Sequence, residues 1–159
     1  MATSDGMTPL DPRQLSLLRV RAGVFAAALL LAGALADRFL LRGTGLPLGA
    51  TAGAAALLAL AIVLILPPRR YHSWGYRMDE DELHLRHGVW MRVRTVVPLG
   101  RVQHIDVVHG PLQRLFGLGS LVLHTAGTRS SAVLLPGLAG EQAERMRDHI
   151  RGRIREDLG

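Results

Sequence analysis

Residues 45–66 read GLPLGATAGAAALLALAIVLIL, 22 residues without a charged side chain, and Pro67-Pro68-Arg69-Arg70 follow at once. At about 1.5 Å per helical residue such a run reaches roughly 33 Å, enough to cross a hydrocarbon core. Lipid offers the backbone no hydrogen-bond partners, so the run must satisfy its own groups as a helix. The chain is therefore expected in a membrane, with this helix ending at the two prolines.

A second apolar stretch lies just upstream. Residues 22–36 are uncharged, and Leu17, Leu18 and Val20 extend them on one side, Phe39, Leu40 and Leu41 on the other. Arg19, Arg21 and Arg38 fall near the ends, where long side chains reach back to water. The expectation is a first span over about residues 18–41 and a second over about residues 45–66, joined as an antiparallel hairpin within a membrane region of residues 17–68. The triplet Ala34-Leu35-Ala36 offers a rival reading as a signal-peptidase site. The long head before it, with Asp5 and Asp11, argues against cleavage, and the second span would hold the protein in the membrane either way.

Arginine placement predicts orientation. Arg13, Arg19 and Arg21 precede the hairpin, and Arg69, Arg70 and Arg77 follow it, while Arg38 and Arg42 flank the tip beside Asp37. Both termini are expected on the cytoplasmic side of a multi-pass protein. Gly45, Gly49 and Gly53, spaced by four, would share one helix face where another backbone can approach. That face is read as helix packing within the hairpin, with dimerisation through the membrane as the second reading.

The chain has 159 residues, so about 90 remain outside the membrane region, enough for one small domain. There is no cysteine, which excludes disulfides and thiol chemistry. All 19 basic residues are arginine, a usage that fits a GC-rich bacterial genome, and the formal net charge is +6. Such a charge suits anionic lipid or nucleic acid. No aromatic platform for stacking bases accompanies it, so nucleic acid is not expected as a partner. Residues 1–16 show no period and read as a disordered head.

Past the prolines the hydrophobic period changes to two. Residues 71–78, 82–87, 89–97, 103–109, 121–125 and 131–135 read as short antiparallel strands, with turns at the acidic residues 79–81, at Gly88 and through Gly127. In residues 89–97, Val89, Met91, Val93, Thr95 and Val97 would share one face. Pro136 and Gly137 would then open a closing helix whose apolar stripe is Ala139, Ala143, Met146, Ile150 and Ile154. The expected fold is an α-helical membrane hairpin followed by an α+β domain over residues 69–159. That domain would be a pleckstrin-homology (PH) like antiparallel barrel or sandwich capped by a C-terminal helix.

Three segments carry a specific resemblance: RVQHIDV at residues 101–107, GPLQRLFGLG at 110–119 and LHTAG at 123–127. With the two spans before them, they resemble the YdbS-like bacterial PH-domain membrane proteins over roughly residues 15–155. The resemblance implies a bacterial cell-membrane protein with its PH-like domain in the cytosol. It also implies that a longer membrane relative with several such domains could serve as a partner. It supplies no ligand and no catalytic residues. By its own residues the GPLQRLFGLG segment reads as structural: Leu112, Leu115, Phe116 and Leu118 would plug the domain, and Gly117 and Gly119 would allow a tight return.

Catalytic signals are missing from the sequence. The seven histidines form no paired helical motif, no nucleophile elbow occurs, and the acidic run at 79–82 lacks the spaced ligands of a calcium loop. No catalytic, cofactor or metal residue is assigned, and no enzyme activity is expected. The candidates are basic. Arg69, Arg70 and Arg77 could meet lipid head groups, and Arg86, Arg92 and Arg94 could form a partner-binding face. The expected function is a membrane-anchored cytosolic interaction module, a scaffold or subunit of a membrane complex. The alternative is a sensor of anionic lipid at the inner membrane surface.

Overall fold

The computed structural model describes residues 6–39, 49–126 and 132–156. It divides into two compact units, one of Met1–Gln14 with Tyr71–Gly159, the other of Leu15–Arg70.

The second unit is the helical hairpin. Helix α1 spans Arg13–Phe39 and α2 spans Ala50–Ser73, both long and apolar enough to cross a membrane. Phe25, Leu31, Phe39, Leu57 and Leu64 are all exposed on the isolated hairpin, as lipid-facing side chains would be. The arms meet at Gly33, where an added Cβ would stand 2.7 Å from the Ala55 Cβ and 3.1 Å from the Thr51 carbonyl oxygen. Asp37 of α1 caps α2: its carboxylate accepts from the Thr51 N–H at 3.2 Å and the Ala52 N–H at 3.0 Å. Such a carboxylate satisfies amides that a helix start leaves without partners. The Thr51 hydroxyl lies within hydrogen-bonding distance of both the Gly33 carbonyl oxygen and Asp37.

The glycine expectation meets a different arrangement. Gly45 lies outside the described residues. Gly49 precedes α2 with a φ of 91°, and an added Cβ at Gly49 or Gly53 would meet nothing within 4 Å. The close approach is made by Gly33, because Asp37 fixes the register of α2 against α1. The helix ends also differ. The second helix does not stop at Pro67-Pro68 but continues through them to Ser73. Each proline removes one amide donor, a loss that neighbouring groups make good in many membrane helices. The last turn is pinned instead by Tyr71, whose phenol donates to the Leu10 carbonyl at 2.8 Å.

The first unit holds two three-stranded antiparallel sheets. Strands β1 (Gly75–Met78), β2 (Glu82–His87) and β3 (Val93–Pro98) form one, in that order. Strands β4 (Val102–Val108), β5 (Leu118–Thr125) and β6 (Ala132–Ala139) form the other. A 3-10 turn, Leu99–Arg101, links the sheets, and the short helix α3, Pro111–Leu115, links β4 to β5. Helix α4, Gly140–Glu156, packs across β4, β5 and β6. The core between these layers is formed by Tyr76, Leu83, Leu85, Val97, Leu99, Val102, Leu121, Leu123, Leu135 and Leu138, with Ala143, Met146 and Ile150 of α4. Alternation supplies the inward residues of β2 and β5, a register shift between β5 and β6 brings both Leu135 and Leu138 to the core, and the 3.6-residue period supplies those of α4. Ala139 ends β6 rather than starting the helix, and Pro136 and Gly137 lie inside β6.

The head departs most from its sequence reading. Thr8 pairs with Tyr76 at the free edge of β1: its N–H donates to the Tyr76 carbonyl at 2.7 Å and its carbonyl accepts at 3.0 Å. Three residues on, the Asp11 N–H donates to the Gly137 carbonyl of β6 at 2.9 Å. Leu10, between them, is 2 % exposed and belongs to the core. The head therefore straps the two sheets together where their outer edges lie open, which corrects the disordered reading of residues 1–16 for this stretch. Asp11 then starts α1. Its Oδ1 accepts from the Arg13 N–H at 2.8 Å, with Pro12 in the first turn, where its missing donor costs nothing. The Arg13 guanidinium beside it holds the Asp11 carboxyl below the usual carboxylate value, against the opposing effect of burial.

Candidate functional site

Antiparallel pairing of β2 with β3 sets Arg86 opposite Arg94 and His84 opposite Val96. Leu83, Leu85 and Val97 point into the core, so the alternate residues His84, Arg86, Arg94 and Val96 line the outward face. Arg77 of β1 joins this face opposite His84. The face is polarised. At one end, His84 Nε2 lies 3.2 Å from both Asp79 and Glu82, and Arg77 pairs with Asp79 at 3.0 Å. At the other end stand Arg86 and Arg94, with Arg92 just before β3.

That basic end runs into the connection Gly88–Arg92. The sequence reading carried a strand through Val89, but pairing of His87 with Val93 ends the ladder and leaves these five residues as a turn. Nothing in Val89-Trp90-Met91 marks a turn, because alternate apolar residues serve a strand equally well. Gly88 bends the chain with a φ of 106°, and a Cβ there would lie 1.9 Å from the Met91 carbonyl oxygen. The consequence is an apolar tip that sequence periodicity missed: Trp90 is 95 % exposed and Met91 76 %.

The structure thus brings Arg86, Arg92 and Arg94 to one end of one sheet. Arg69 and Arg70 lie in the last turns of α2, within the hairpin unit, whereas Arg77 is a β1 residue of the PH-like unit paired with Asp79.

The outer face of the second sheet holds an acid between two imidazoles. His104 Nε2 lies 2.8 Å and His124 Nε2 3.1 Å from the two oxygens of Asp106. Both rings use their Nε2 atoms on this carboxylate, and among the described residues no group of three acidic or histidine side chains is placed to hold a metal ion.

The GPLQRLFGLG segment is structural in a different way from its sequence reading. Leu118 is fully buried, whereas Leu115 is 81 % exposed. Gln113 takes the inner position: it accepts from the Gly110 N–H at 2.9 Å and donates to the buried Ser120 hydroxyl at 2.7 Å. Gly117 turns the chain at a φ of 63°. Gly119 makes room for the His109 ring, whose Cε1 would lie 2.8 Å from an added Cβ.

Two apolar helices followed by two small sheets and a closing helix define a membrane protein with a PH-like unit. The family model "Bacterial PH domain" matches residues 22–154, and the chain belongs to that family. Over 99 residues it is 37 % identical to UPF0699 transmembrane protein YdbS of Bacillus subtilis (strain 168), covering 62 % of this chain and 60 % of the relative. Over 100 residues it is 28 % identical to UPF0699 transmembrane protein YdbT of the same organism, covering 62 % of this chain and 20 % of that one. The matched part thus spans less than two thirds of either relative. No solved structure matches the chain at a significant level.

Proposed function

We propose that this chain is a membrane-anchored interaction module, a scaffold or subunit of a membrane complex. It presents its PH-like unit on the cytoplasmic side and works by binding rather than catalysis. The observation that carries the reading is the placement of Arg86 and Arg94 as register partners on an outward sheet face, with Arg92 at the same end. Strand pairing holds such a platform rigid, and an acidic ligand complements its charge.

Two measurements test the reading. Reporter fusions at Gly159 should show a cytoplasmic location and fusions at Thr44 an external one; an external C-terminus defeats the orientation. Hydrogen exchange should show the loop at residues 88–92 slowed in native membranes relative to protein purified in detergent. The combined variant Arg86→Gln, Arg92→Gln, Arg94→Gln should exchange equally fast in both settings while its β5 amides remain protected. Equal exchange of the unaltered loop in both settings would mean that this end has no ligand.

A further inference from the structure

The basic end of the β2–β3 hairpin is also its most apolar projection. Val89, Trp90 and Met91 form the exposed tip, and Arg86, Arg92 and Arg94 stand around its base. We propose that this hairpin docks on an anionic bilayer surface, with Trp90 and Met91 entering the head-group boundary and the three arginines meeting lipid phosphates. The inference rests on the reading of this end as the working surface and names its ligand.

The chemistry of the tip matches that occupant on three counts. The indole ring is apolar along its faces but carries an N–H, so tryptophan concentrates at membrane interfaces where one end stays wet. Methionine is flexible and adapts to an irregular, fluid surface. An arginine collar behind apolar residues is the arrangement by which peripheral segments bind anionic lipid, apolar burial and charge acting together. Gly88 presents the tip without strain, since its φ of 106° suits glycine and a side chain there would strike Met91. The bilayer is also the ligand always within reach. β1 begins at Gly75, with only Trp74 between it and the end of α2 at Ser73, so the chain that carries the hairpin is joined to the apolar helix by a single residue.

A docked tip fixes how the PH-like unit is held over the lipid and makes that hold depend on surface charge. At about 1 kcal/mol for each arginine near an anionic surface, removing three should lower the docking equilibrium constant roughly a hundredfold. High salt should act in the same direction.

The test uses the full chain in lipid nanodiscs made of phosphatidylcholine alone or of phosphatidylcholine and phosphatidylglycerol in equal parts. The chain has two tryptophans and no cysteine. Trp74→Phe therefore leaves Trp90 as the sole indole, and Met91→Cys carrying a nitroxide gives an independent probe with Trp74 intact. The expected result is blue-shifted Trp90 emission that brominated lipid quenches in the anionic discs. Quenching should fall in phosphatidylcholine alone, in high salt and in the combined Arg86, Arg92 and Arg94 to Gln variant. The nitroxide should be more accessible to oxygen than to an aqueous nickel chelate under the same conditions. Blue-shifted emission that brominated lipid leaves unquenched would mean that a protein, or a second copy of the chain, covers the tip. That result overturns the lipid assignment and leaves the working surface in place. Water-like emission in every disc, unchanged by the arginine substitutions, overturns both.

Discussion

Leu10→Asp is expected to abolish the cooperative unfolding of the PH-like unit, although Leu10 lies before both membrane helices in the chain. Its side chain sits in the core with Tyr76, Leu83 and Leu85, and its carbonyl accepts from the Tyr71 phenol. A carboxylate at that point has no paired cation in the core, and burying one unpaired costs several kcal/mol. Leu10→Ala should cost about 2–5 kcal/mol, the usual range for emptying a leucine site. Thr8→Ala should cost less than about 0.5 kcal/mol, because Thr8 uses only its backbone. Hydrogen exchange of β1 and β6 amides in the full chain checks all three. If Leu10→Asp leaves β1 and β6 as protected as before, the strap is not part of the fold. A fragment beginning at residue 69 lacks the strap and should show the same loss at β1 and β6, with the remaining strands less affected.

Ile150→Asp should be at least as damaging. Ile150 is fully buried at the centre of the α4 stripe, with Ala143 and Met146 on the same face. The aspartate would place a charge against β4 and β5 with nothing to pair it, at a cost of several kcal/mol. Asp148→Asn, two residues away on the exposed side, should change stability by less than about 0.5 kcal/mol. Protection of the β5 amides is the measurement. Retained protection in Ile150→Asp would mean that α4 turns a different face to the sheets.

How much of this was legible in the sequence varies by element. The two apolar helices were, because a long apolar run has the helix as its stable form in lipid. β2 was, to the residue, because Leu83 and Leu85 alternate cleanly with polar neighbours between an acidic turn and Gly88. The stripe of α4 from Ala143 onward was, because its period is 3.6, whereas Ala139 before it ends β6. Strand parity also anticipates Arg86 and Arg94 on one face of the β2–β3 pair, whereas Arg92 falls in the turn before β3.

Other features depended on contacts between residues distant in the chain. No local signal tells that Leu10 belongs to a core made by strands beyond residue 75, so the head read as disordered. Asp11 followed by Pro12 is the local cue for the helix start at Arg13. The turn at Val89–Met91 was hidden because the end of a ladder is set by its partner strand, and β2 runs out at His87. The packing of the hairpin at Gly33 rather than along Gly49 and Gly53 follows from Asp37 reaching the start of α2, a choice made by one carboxylate. Periodicity and charge-free length are properties of the chain read in order, so the sequence alone determined a membrane hairpin with a small antiparallel domain capped by a helix. The strap across the sheets, the arm contact and the exposed apolar tip are settled by which distant surfaces meet, and only the tertiary structure decided those.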